Sequence, residues 1–106
     1  MDKYIRKYHV LWKDSIYRPA AVYSSLDYAV RVLKEKYAEQ RKAYGTGHYA
    51  QSLERSMEIS AYVYTNEENA RKRLSLRKDY IWNGWLGIEN LDKYVTEYKE
   101  KYLEVR

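Results

Sequence analysis

The chain has 106 residues, no cysteine and a formal net charge of +5, which excludes disulfides, thiolate nucleophiles and cysteine-ligated metal or iron–sulfur sites. That length suits a single domain, residues 1–106, around one hydrophobic core, and a hydrophobic content of 45% is too high for a disordered chain. Fourteen tyrosines stand against no phenylalanine; a ring with a hydroxyl must keep its tip in water or find a buried partner, so many of these rings either rim the core or form a recognition surface.

The first predicted elements are two strands, 3–12 (KYIRKYHVLW) and 16–23 (IYRPAAVY), rich in aromatic and β-branched residues and separated by Lys13-Asp14-Ser15. They read as a β-hairpin. Pro19 cannot donate to a ladder, so the second strand belongs at a sheet edge or carries a bulge. Ser24-Ser25-Leu26-Asp27 reads as a capping box, Ser24 accepting from the amide three residues on. A helix over 25–44 follows, with Leu26, Val30, Leu33, Tyr37 and Tyr44 on one face, and Gly45 stops it. Residues 49–56 carry no clear signal.

Residues 57–64 (MEISAYVY) alternate cleanly, Met57, Ile59, Ala61 and Val63 on one side and Glu58, Ser60, Tyr62 and Tyr64 on the other, as a half-buried strand does. The stretch 65–82 has two readings. In one, Thr65-Asn66-Glu67-Glu68 caps a helix; in the other, slightly preferred, 65–69 is a hairpin loop leading into a strand in which Leu74 and Leu76 alternate with Arg73, Ser75 and Arg77. Trp82 to Gly87 is a turn-rich aromatic link. From about Ile88 a helical stripe of Ile88, Leu91, Val95, Tyr98, Tyr102 and Val105 packs on the sheet or, alternatively, makes the helix over 88–105 a homodimer seam. The expected fold is α+β: a small antiparallel sheet of three to four strands with two main helices mainly on one face.

The densest chemical feature is Arg71-Lys72-Arg73-Leu74-Ser75-Leu76-Arg77-Lys78, five cations in eight residues, followed by Tyr80, Trp82 and Trp85. Cations of this kind neutralise phosphates and rings stack on unpaired bases, so these eight cationic and aromatic side chains are the candidate nucleic-acid or partner-binding residues; a solvated charge face is the plainer reading. On the strand reading Arg71, Arg73 and Arg77 share a face, and Lys3, Arg6, Lys7 and Arg18 of the first hairpin are candidates to extend the patch.

Gly45-Thr46-Gly47-His48 is a weak candidate phosphate loop, since it lacks both glycine-rich phosphate-binding patterns. With only His9 and His48 and no cysteine, no metal or cofactor is expected, and no catalytic residue stands out among the carboxylates. The leading expectation is a non-enzymatic binding module whose basic, Tyr/Trp-rich surface engages nucleic acid or a nucleoprotein. An alternative is a small protein-binding inhibitor or adaptor for an acidic or nucleic-acid-binding protein, such as an anti-CRISPR-type blocker from a virus or mobile element. A second alternative is a small-ligand or phosphate-binding enzyme. No stretch approaches the roughly 18 apolar residues of a membrane helix, and Met1-Asp2-Lys3-Tyr4 does not open a signal peptide, so a cytoplasmic protein without a membrane partner is expected.

Overall fold

A computed structural model describes residues 3–12 and 21–103. Four strands, β1 (Ile5–Leu11), β2 (Ala21–Tyr23), β3 (Glu58–Tyr64) and β4 (Arg77–Asn83), form one antiparallel sheet in the order β2-β1-β3-β4. The helices are α1 (Leu26–Tyr44), α2 (His48–Arg55), the one-turn α3 (Glu67–Arg71) and α4 (Leu91–Tyr98), the last continuing as a wider helical turn over Lys99–Leu103. This is the α+β architecture expected from the sequence. Residues 13–20, which hold the expected turn at 13–15 and the first part of the expected 16–23 strand with Arg18 and Pro19, lie outside the described residues, as does Val105; among the described residues β2 occupies a sheet edge.

Strand alternation decides what each face of the sheet can do. In β1, Tyr8 and Val10 are buried; their register partners in β3 are Ala61 and Ile59, also buried. These residues join Leu26, Ala29, Val30 and Leu33 of α1 and Leu91, Val95 and Tyr98 of α4 in one core. Leu91, Val95 and Tyr98 of the expected stripe thus pack on the molecule's own sheet, with Ile88 and Tyr102 partly buried beside them. The opposite side chains, Lys7 and His9 of β1, Glu58, Ser60 and Tyr62 of β3, point to the face that α1 and α4 leave open.

Local signals set the ends of the elements, with some shifts from expectation. The α1 cap is Ser25, not Ser24: its hydroxyl accepts from Tyr28 N at 3.2 Å. Gly45 ends α1 at φ 72°, a conformation costly for any other residue. Tyr44, expected on the apolar stripe, is half exposed and meets Tyr49 edge-on. In the ambiguous stretch both readings hold in part. Asn66, rather than Thr65, caps α3 through its side chain to Asn69 N at 2.8 Å, and the strand begins only at Arg77. Leu74 and Leu76 are exposed loop residues, so the expected strand face shared by Arg71, Arg73 and Arg77 does not form.

In β4 the register shifts by one residue opposite Ile59 and Ser60, a bulge that lets the consecutive Ile81 and Trp82 both enter the core while Tyr80 stays on the open face. Gly84, just beyond, has no room for a side chain, because a Cβ there would overlap the Glu54 backbone carbonyl of α2. The core side of the sheet also holds a polar chain that the sequence reading missed. Buried Arg6 donates from Nε to the Tyr98 hydroxyl at 2.9 Å, Tyr98 donates to Asp79 Oδ2 at 2.8 Å, and Arg77 Nε donates to Asp79 Oδ1 at 2.9 Å. Burial, ahead of these bonds, pushes the Tyr98 pKa well above the usual tyrosine value, so it is a neutral donor across the physiological range.

Candidate nucleic-acid interface

Because register partners sit side by side, the open face is built in rows across the strands. Val22 of β2, His9 of β1, Ser60 of β3 and Tyr80 of β4 form one row, and Lys7, Tyr62 and Lys78 form the next. The His9 and Tyr62 rings, diagonal neighbours, lie with centroids 4.0 Å apart. Tyr80 is 68% exposed, a large ring left to solvent on the middle of an edge strand. The Lys78 ammonium sits 4.4 Å from the Tyr80 centroid and 5.5 Å from that of Tyr62. The result is a ring platform flanked by cations on both sides of Tyr62.

Its electrostatics are positive but not uniformly so. Glu58 pairs with Lys78 at 3.2 Å. Burial works against the Lys78 charge, yet the contact with Glu58 outweighs it and raises the Lys78 pKa, so this lysine remains a cation. His9 is pushed the other way: burial first, then the charges of Lys78 and Arg73, hold its pKa below the usual histidine value and favour a neutral, stackable imidazole. His9 and Ser60 are cross-strand partners, but no hydrogen bond joins them among the described residues, and Ser60 is fully buried beneath the rings.

The candidate residues from the sequence are scattered by the fold. Lys78 and Tyr80 join the platform. Trp82 does not: it is 1% exposed in the core, its indole donating to Gly87 O at 2.8 Å, so it is no stacking surface. Trp85 is 73% exposed, on the turn that packs against α2, with the Arg55 guanidinium 4.7 Å from its ring centroid. Lys72 pairs with Glu68 at 3.0 Å and Arg77 with Asp79 at 2.9 Å. Arg6, a candidate to extend the patch, is instead buried on the core side.

The glycine loop Gly45, Thr46, Gly47 is the turn between two helices, with His48 opening α2 and the Gly45 amide bonded to Arg41 O at 2.9 Å.

His9 and Tyr62 are the platform residues that the sequence did not single out as binding residues, and Lys7 was named only as a candidate to extend the 71–78 patch. Their signal was present: alternation set Tyr62 on the polar side of its strand and an equal alternation governs 5–11. What was missing was the register that lines the two strands up. Among the described residues no group of three or more His, Asp or Glu is placed to hold a metal, and no helix is long and apolar enough to cross a membrane. Compared with protein-family models, curated proteins and solved structures, the chain matches none of them.

Proposed function

We propose that this protein is a non-enzymatic module that binds single-stranded nucleic acid on the open face of its sheet. The observation that carries this reading is the pair of adjacent rows: His9 and Tyr80 on either side of Ser60, and Tyr62 between Lys7 and Lys78. Unpaired bases present π-faces that stack on such rings without regard to sequence, while the lysines neutralise the backbone between them. A rigid sheet holds the rings in place before binding, so little ordering entropy is lost on association. Duplex bases are already stacked and hidden, so the platform favours single strands over duplex.

The test is fluorescence anisotropy of labelled single-stranded and duplex oligonucleotides at about 50 and 200 mM salt, over which phosphate-driven binding weakens steeply. Single strands are expected to bind more tightly than duplex, with affinity falling as salt rises. Equal affinity for both forms, or no binding at 50 mM salt, contradicts the reading. A second reading, a protein-binding adaptor or inhibitor, draws on the exposed Trp85 beside Arg55, an aromatic and cationic pair of the kind that anchors protein interfaces.

A further inference from the structure

One end of the open face is closed. The chain leaves β3 through α3, which packs back on that strand, and Tyr64, on the open side by alternation, is buried at 4% exposure. Between this lid and the β1–β2 edge lies a cleft of about 510 Å³ whose lining includes Lys7, His9, Ser24, Tyr64, Ala70 and Arg73. Among the described residues no carboxylate lines it. The Lys7 ammonium donates to Ser24 Oγ at 3.2 Å, and among the described residues neither Lys7 nor Arg73 has an ion-pair partner.

Within the basic run Lys72, Arg77 and Lys78 are each paired with an acid; of the other two, Arg71 and Arg73, it is Arg73 that lines the cleft. Arg73 is also the one non-glycine residue with positive φ, 59°, among the described residues. Such a conformation is costly for a side chain with a Cβ and persists where the surroundings over-determine it. Here two backbone bonds do so: Arg73 N to Ala70 O at 3.2 Å and Leu74 N to Asn69 O at 2.9 Å. The turn places Arg73 on the same cleft as Lys7.

We propose that this cleft, between Lys7 and Arg73, takes the terminal phosphomonoester of a nucleic-acid strand whose first bases lie on the platform. The inference rests on the platform reading, because His9 belongs to both the cleft and the ring row. Two arguments select an end over an internal phosphate. A strand running along the sheet from His9 meets α3 and the buried Tyr64, which end the open face in that direction. A monoester also carries nearly two negative charges against the single charge of a diester, matching two cations that have no ion-pair partner among the described residues. The Ser24 hydroxyl beside Lys7 adds a neutral donor for a third phosphate oxygen.

The experiment compares three short single strands of one sequence, with a 5′-phosphate, a 3′-phosphate or hydroxyls at both ends, titrated against the wild-type protein, Lys7→Ala and Arg73→Ala, with circular dichroism as the check on folding. One phosphorylated strand is expected to bind about tenfold tighter than the hydroxyl-ended strand, as two solvent-exposed ion pairs would give. That advantage is expected to vanish in both variants; Arg73→Ala still binds the hydroxyl-ended strand as the wild type does, whereas Lys7→Ala, which also removes a platform lysine, binds it more weakly, and which end carries the advantage fixes the polarity of the strand. Equal binding of all three strands overturns the phosphate site and leaves the platform standing. If the hydroxyl-ended strand does not bind, the platform reading falls, and a nucleoside monophosphate then decides the cleft: binding lost in both variants retains it, and no binding removes it as well.

Discussion

A single sheet position separates an aromatic residue that stabilises the fold from one free to work. Tyr80 and Trp82 lie two apart in β4, but the bulge sends Trp82 into the core and leaves Tyr80 on the surface. Trp82→Ala is expected to cost about 3–5 kcal/mol of stability in denaturant unfolding, as truncation of a fully buried indole does. Tyr80→Ala is expected to change stability by less than about 1 kcal/mol, since little of the ring is buried, while weakening single-strand binding by about 1–3 kcal/mol, the worth of one stacked base. His9 gives the fold a pH dependence with a definite sign. Its pKa is lowered on folding from 6.5, so between the folded value and 6.5 the unfolded chain holds a proton that the folded chain does not. That stability is complete above pH 6.5 and is lost as the pH falls through this window, against Lys78 and Arg73 on one side and Glu58 on the other. Melting from pH 7.5 down to pH 5 is expected to show a smaller loss of stability for His9→Asn than for the wild type; equal losses would mean that His9 is not desolvated.

At the scale of elements, packing against neighbours fixes what local propensity leaves open. The seam between α2 and the turn after β4 depends on Gly84, where the two backbones approach too closely for a Cβ. Gly84→Ala is expected to destabilise the protein by about 1–3 kcal/mol, the usual cost of forcing extra volume into a packed site, and an unchanged melting temperature would show that the seam can open without loss. The same contrast explains what the sequence revealed. Strands β1 and β3 and helix α1 were legible because their periodicities are strong, and for α1 because a serine start and the Gly45 stop bracket the stripe, the cap being one residue later than read. The alternation of Ile59, Ala61 and Val63 against Glu58, Ser60 and Tyr62 correctly separated core from open face. The 65–82 stretch was not legible as one element because it is two, a capped turn of helix and a later strand. No local rule gives the left-handed turn at Arg73 that joins them, because arginine has no preference for it. Arg6 was equally hidden: its type argues for the surface, and its burial is offset by residues distant in sequence, among them the Tyr98 hydroxyl and the Tyr98 and Tyr102 rings.

For the molecule as a whole, the shortest principal extent is 18 Å against 43 and 33 Å, a thickness that suits one helical layer on one sheet. With α1 and α4 on one side, the other side of the sheet is left with α3 at one end and rings and lysines over the rest. The net charge of +5 acts over the same scale, favouring approach of a polyanion and making association sensitive to salt. Composition had pointed to a basic, aromatic surface but assigned it to the 71–78 run and its following tryptophans; folding moves the centre to the middle of the sheet, where side chains far apart in sequence come together through strand register. The platform is tested most directly by mapping chemical-shift changes in the NMR spectrum as a single-stranded oligonucleotide is added. Binding on the open face is expected to shift His9, Ser60, Tyr62, Lys78 and Tyr80 first, with the α1 and α4 surfaces unmoved. Shifts centred on Trp85, Arg55 and α2, with the sheet face silent, would contradict it and make the tryptophan turn the binding surface.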